Sequence, residues 1–219
     1  MPIVAMGGYP DERLRRHLVG LVAKGAPSLL FVGTASMESP ELGRAIDEAF
    51  RGLAEVTHLE FAPWPPSDVR GLTLRQDIVL VGGGNTANML AIWRVHGFDS
   101  VLREARENGV FLAGWSAGAI CWFEAGVTDS FGPQLEGMRD GLGFVQGSAC
   151  PHYDGEELRR PRYTELVRGG FPSGIAIDDD VAVRFDRDDV TNVVSSRAGA
   201  SAYRVTPDGE ETLEARLLA

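Results

Sequence analysis

The chain of 219 residues carries 21 Lys+Arg against 31 Asp+Glu, a formal charge of −10, and is 44% hydrophobic. That is a globular composition, in which a single core can bury roughly 70% of the surface exposed by the unfolded chain. The acidic balance repels phosphate backbones and anionic lipid, so neither nucleic acid nor a membrane surface is expected as a partner.

The first run, Pro2–Met6, is apolar and of strand length, and the residues around it have neither the basic n-region nor the longer h-region of a signal peptide. No apolar stretch reaches about 18 residues, so a cytoplasmic location is expected. Leu14, Leu18, Leu21 and Val22 recur at helical spacing, Ser28–Val32 reads as a buried strand, and Ser39 with Pro40 predicts the start of a helix whose apolar face is Leu42, Ile46, Ala49 and Phe50. Residues 62–66, Ala-Pro-Trp-Pro-Pro, read as a rigid loop before the strand Ile78–Val81. Asp99 or Ser100 can cap a further helix that stops at Asn108-Gly109, and residues 110–113 form the next buried strand. Strand and helix in alternation predict an α/β fold with a mostly parallel sheet covered on both faces. Beyond about residue 125 a strand at 144–148 and one more helix, through Tyr163, Leu166 and Val167 to Gly169-Gly170, are followed by short strands at Gly174–Ile177, 181–185, 192–195 and 202–205. These read as partly antiparallel edge strands added to the same sheet, in one domain spanning 1–219.

Three segments carry chemistry. In Val110-Phe111-Leu112-Ala113-Gly114-Trp115-Ser116-Ala117-Gly118-Ala119-Ile120 a buried strand enters G-x-S-x-G and then small residues able to open a helix. That context suits a nucleophile elbow, with Ser116 exposed at a helix N-terminus whose positive end favours an oxyanion. Gly82-Gly83-Gly84-Asn85-Thr86 is a second strand-to-helix turn, whose amides can cradle a phosphate or serve an oxyanion hole; its spacing matches neither common nucleotide-binding fingerprint. The third is Cys150-Pro151-His152-Tyr153-Asp154, where His152 is the best general base among the four histidines. Two acidic sites compete to orient it: Asp129 before it in the chain, and Asp178, Asp179 and Asp180 after it. Cys121 and Cys150 are too few for a disulfide scaffold or a four-Cys zinc site, and no group of residues has metal-ligand spacing, so no metal or cofactor is expected.

Together, Gly82-Gly83-Gly84-Asn85-Thr86, Gly114-Trp115-Ser116-Ala117-Gly118-Ala119 and Pro151-His152-Tyr153, in this order and spacing, resemble the peptidase E family of serine peptidases, which includes cyanophycinase. The resemblance implies a three-layer α/β/α fold of the class I glutamine amidotransferase type, with extra C-terminal edge strands. It implies Ser116 as nucleophile and His152 as base, with an oxyanion hole from backbone amides of Gly83, Gly84 and Ala117. The family's acid is a glutamate after the histidine; the matching segment, Ile177-Asp178-Asp179-Asp180-Val181, offers Asp179, one methylene shorter, and Asp129 stays in competition. The resemblance also implies cleavage of Asp-X dipeptides, with Arg159 holding the aspartate side chain and Asn85 beside the substrate. Small peptides are the expected partner, and a homodimer is the family expectation. Two other classes remain open: a non-catalytic small-metabolite sensor on this fold, and an esterase-type serine hydrolase.

Overall fold

The structure is a computed structural model and describes residues 2–219. In chain order the first half contains β1 (Pro2–Met6), α1 (Glu12–Gly20), β2 (Ser28–Val32), α2 (Pro40–Ala49), β3 (Glu55–Leu59), α3 (Val69–Leu74), β4 (Ile78–Val81), α4 (Thr86–Val95), α5 (Phe98–Glu107) and β5 (Phe111–Trp115). The second half adds α6 (Ala117–Ile120), β6 (Phe123–Thr128), β7 (Glu136–Met138), β8 (Val145–Cys150), α7 (Arg159–Arg168), β9 (Gly174–Ile177), β10 (Val181–Asp186), β11 (Asp189–Ser195), β12 (Ala202–Thr206), β13 (Gly209–Leu213) and β14 (Arg216–Leu217).

Five parallel strands in the order β3-β2-β4-β5-β1 run from one edge of an eight-stranded sheet, which β10, antiparallel to β1, and then β11 and β14 complete. Alternate residues of the central strands serve opposite faces. Val4, Met6, Leu29, Phe31, Ile78 and Leu80 pack with Leu14 and Leu18 of α1 and with Ile46 of α2. Ile3, Ala5, Leu30, Val32, Val79 and Val81 pack on the other side with Met89, Leu90 and Trp93 of α4 and with Phe98 and Leu102 of α5. Both faces are buried, so these strands read as continuous apolar runs. Edge strand β3 alternates instead, with Glu55 and Thr57 exposed, and a search for unbroken apolar runs passes over it.

The expectation of one sheet with C-terminal edge strands is corrected here. A second, six-stranded sheet, β13-β12-β9-β8-β6-β7, takes the strands at Gly174–Ile177 and Ala202–Thr206, and of the four predicted edge strands only β10 and β11 join the first sheet, where the short β14 pairs with β11. One face of the second sheet, through Phe123, Val145, Ile175 and Ile177, shares a core with Val183 and Phe185 of the first. Its other face, through Val127, Cys150 and Ala176, packs against Tyr163 and Val167 of α7. The cap of α2 falls where the sequence puts it: the Ser39 hydroxyl accepts from the Leu42 amide. Helix α5 instead starts after Gly97, which sits in the left-handed region at φ 67°, and neither Asp99 nor Ser100 is its cap. Among the described residues no helix is long and apolar enough to cross a membrane.

Candidate active site

Strand β5 is buried throughout and ends at Trp115; the next residue, Ser116, has φ 55° and ψ −117°. A side chain there is strained, and such strain persists only where the surroundings hold it. Here the Ser116 amide donates to the Met6 carbonyl at 3.2 Å, while its own carbonyl accepts from Ala119 and Ile120 at 2.9 and 3.0 Å. The flanking glycines permit the turn by their lack of a side chain: a Cβ on Gly114 would lie 2.2 Å from the Gly118 carbonyl oxygen, and one on Gly118 2.3 Å from that of Val81. The following helix, α6, is a single turn, because Trp122 and Phe123 leave it for β6. Its macrodipole is correspondingly small, and stabilisation of an oxyanion falls to individual amides.

The turn Gly82-Gly83-Gly84 lies against this serine. A Cβ on Gly83 would sit 3.1 Å from Ser116 Cβ, and one on Gly84, where φ is 134°, would sit 2.1 Å from the Ala35 carbonyl oxygen. The turn is thus wedged with Gly84 against Ala35 and Gly83 against Ser116, the residue that Ala117 directly follows. Asn85 is differently employed: its side-chain oxygen caps α4 by accepting from Asn88, and its side-chain nitrogen donates to the Ser130 carbonyl at 2.9 Å. That amide is a structural link more than a group aimed at a substrate.

His152 follows β8 in a left-handed conformation, φ 53°, with its ring partly exposed. Its Nδ1 is 2.7 Å from Asp179 Oδ1. A carboxylate on Nδ1 fixes the tautomer that leaves Nε2 to accept a proton. The hydrogen bond with His152 holds the Asp179 carboxyl below its ordinary range, against the opposing effect of burial, and Arg197 and Arg159 add to the lowering. Asp129 is exposed on the turn after β6, so of the two competing acids it is Asp179 that meets the imidazole. The end of β1 connects the pieces: Met6 accepts the Ser116 amide, and two residues on, a Cβ on Gly8 would lie 2.3 Å from Asp179 Oδ1 and 3.6 Å from His152 Cε1. A half-buried serine elbow, a glycine turn and a His–Asp pair therefore lie at the carboxyl ends of parallel strands, linked through the segment that follows β1.

The model of peptidase family S51 matches residues 3–193. This chain belongs to peptidase family S51. It is 46% identical to the Bacillus subtilis peptidase YgaJ, an uncharacterised protein, over 97% of this chain and 95% of that one. Two solved structures have a similar fold at 19% identity and a TM-score of 0.69: a peptidase E protein from Listeria monocytogenes, covering 90% of this chain and 98% of its own, and a peptidase from an acI-B1 actinobacterium, covering 98% and 94%.

Other residues of this S51 chain occupy places that sequence reasoning did not anticipate. Arg159, expected against a substrate's aspartate side chain, is 4% exposed; its Nε donates to Glu156 at 2.7 Å and its Nη1 to the Val127 carbonyl at 3.1 Å. Cys121 and Cys150, by contrast, are the buried free thiols that their apolar and small-residue surroundings in the sequence point to, with burial pushing the Cys150 thiol up to about 12. Gly7-Gly8 and Gly155 were not singled out, yet a Cβ on Gly155 would lie 2.0 Å from Asp179 Oδ2, so Gly8 and Gly155 together leave room for the acid. Asp154 and Arg197, bonded around that acid, were also missed. A glycine pair directly after a buried strand was the available signal for the first; nothing local marks Arg197.

Proposed function

We propose that this chain is a serine-type peptidase that hydrolyses small peptides through an acyl-enzyme on Ser116. In this reading His152 Nε2 takes the Ser116 hydroxyl proton as Oγ attacks the scissile carbonyl carbon. Asp179 stabilises the imidazolium, and the amides of Gly83, Gly84 and Ala117 receive the oxyanion. Collapse of the tetrahedral intermediate transfers the proton from Nε2 to the leaving amine, and water repeats the sequence on the ester. The single observation that carries this reading is the 2.7 Å pairing of His152 with Asp179 beside an elbow serine whose backbone is strained. Ser116→Ala is expected to keep the fold and lose on the order of 10⁴ to 10⁶ in turnover of a peptide-library hit. It should also lose labelling by a fluorophosphonate. Turnover within tenfold of the parent protein would exclude the mechanism. A metabolite sensor, in contrast, needs no such reactivity at Ser116.

The finer reading, preference for Asp-X dipeptides, rests on Arg159. Its guanidinium has five N–H groups, three of which serve Glu156 and Val127, and its charge reaches Asp179. Two N–H groups are left for a substrate carboxylate, though Glu156 offsets part of the attraction. Asp-Leu should be cleaved faster than Asn-Leu or Ala-Leu, and Arg159→Gln should remove most of that difference. Equal rates on all three dipeptides refute the aspartyl preference and leave the serine chemistry standing.

A further inference from the structure

The His152–Asp179 pair is carried on two separate loops, one after β8 and one after β9, and a third segment, between β11 and β12, reaches over both. Arg197 on that segment donates from Nη2 to Asp154 Oδ2 at 2.5 Å and to the Asp179 carbonyl oxygen at 3.1 Å, and from Nε to Asp180 Oδ2 at 2.9 Å. Asp154 closes the ring, since its other oxygen accepts from the Asp179 amide at 2.8 Å. The Asp179 backbone is thus gripped on both sides of its peptide, from the amide by Asp154 and at the carbonyl by Arg197, while Asp154 is one of the residues of the histidine loop. The segment itself is anchored: the Ser195 hydroxyl accepts from the Arg197 amide at 3.0 Å, and the Ser196 amide donates to the Asp180 carbonyl at 3.0 Å.

We propose that Arg197 is a positioning residue for the proposed peptidase reaction, holding the histidine loop and the acid loop in the register that aligns Asp179 with His152. It touches neither Ser116 nor the imidazole and acts through Asp154 and Asp179. Its second contribution is charge. The groups facing the pair are Asp154 and Glu156 on the histidine loop, Asp178 and Asp180 on the acid loop, and the cations Arg159 from α7 and Arg197; the turn after β1 brings the uncharged Gly8 against it. Arg159 is already paired with Glu156. Without Arg197, Asp154 and Asp180 stand uncompensated beside the dyad and favour the imidazolium, so the base must be freed of its proton at higher pH.

The inference rests on Ser116, His152 and Asp179 acting as proposed, and the test separates the two. The rate of Ser116 labelling by a fluorophosphonate is measured from pH 5 to 9 for the parent protein, Arg197→Gln, Arg197→Lys and Asp180→Asn, with folding followed by circular dichroism and thermal melting. Misalignment on the scale of an ångström costs on the order of 10²-fold, so Arg197→Gln is expected to label roughly 10- to 100-fold more slowly. Its acid limb should move to higher pH. Arg197→Lys restores the position of the limb through its charge but only part of the rate, since an ammonium cannot span three acceptors in one plane. Asp180→Asn, which loosens one leg of the clamp while leaving Arg197 on Asp154 and Asp179, should lose only a fewfold in rate. If Arg197→Gln proves unfolded, Arg197→Lys carries the test, and a labelling rate matching the parent's would overturn the proposal. So would a folded Arg197→Gln whose rate and acid limb lie within twofold of the parent. An unlabelled parent protein overturns the serine reading itself, and the positioning role with it.

Discussion

At the scale of single residues, the contest between Asp179 and Asp129 turns on one hydrogen bond. Chain order alone leaves both open, because serine hydrolases with the same geometry place the acid before or after the histidine. The 2.7 Å contact of His152 Nδ1 with Asp179, and the exposure of Asp129, rank them. Asp179→Asn is expected to lower kcat/KM by roughly 10⁴, the scale measured for an orienting carboxylate, because an asparagine presents its amide to the wrong tautomer. Asp129→Asn should cost less than tenfold. The reverse ranking in kcat/KM would return the acid to the β6 turn. Ser116 and His152 stand out as candidates in the sequence for a physical reason: an elbow needs glycines on both sides of the nucleophile, and of four histidines only His152 follows a proline at the end of a strand. The shorter aspartate at 179 is accommodated by what is missing around it, the side chains of Gly8 and Gly155. Absent atoms leave little trace in a sequence read alone.

At the scale of elements, the buried parallel strands were legible because each is apolar on two faces, whereas β3, solvated on one, was not. The second sheet was hidden for a different reason. Strands β9 and β12 look like β10 and β11 in composition and length, and what assigns them to different sheets is pairing over long sequence separation, β9 with β8 and β12, and β10 with β1. Its consequence for the site is that the histidine and the acid sit on the loops that follow two neighbouring parallel strands of the second sheet, β8 and β9, while the serine follows β5 of the first. The elbow is where the sheets' chain segments meet, and its glycines are packing requirements. Gly118→Ala puts a methyl 2.3 Å from the Val81 carbonyl and must push α6 from β4; overpacking of this kind costs about 1–3 kcal/mol or more. In a protein of this size each kcal/mol lowers Tm by about 2–4 °C. Gly20→Ala, at the end of α1 with open space around it, should leave Tm unchanged or slightly raised. A melting curve for Gly118→Ala that overlays the parent's would remove the packing argument.

At the scale of the whole molecule, a net charge of −10 makes each buried carboxylate a matter of stability as well as of chemistry. Asp178 and Asp179 are adjacent in sequence and pull in opposite directions with pH. The Asp179 carboxyl is lowered, chiefly by its bond with His152, so its contribution to folding is present above the unfolded value of about 3.9 and is lost as pH falls through the lower, folded value. The Asp178 side chain is 3% exposed; one oxygen accepts from the Ser201 amide and the Tyr203 hydroxyl, and the other, Oδ1, has no partner. Burial foremost, with Asp154 nearby, raises this carboxyl. A raised acid is neutral in the folded state over a range where it is charged when unfolded. Stability therefore falls as pH climbs from about 3.9 through the raised value and stays reduced above it. Asp178→Asn removes that penalty while keeping an oxygen for Ser201 and Tyr203, at the pH-independent cost of an amide nitrogen in the unpartnered position. Melting the parent protein, Asp178→Asn and Asp179→Asn from pH 3 to pH 7 should give gaps that move in opposite directions with pH. Asp178→Asn gains on the parent as pH rises through that window, and Asp179→Asn loses ground. A gap for Asp178→Asn that is flat with pH, or that widens in the parent's favour, would show that this carboxylate is charged in the fold at no cost and that its neighbours solvate it better than the two hydrogen bonds on Oδ2 imply.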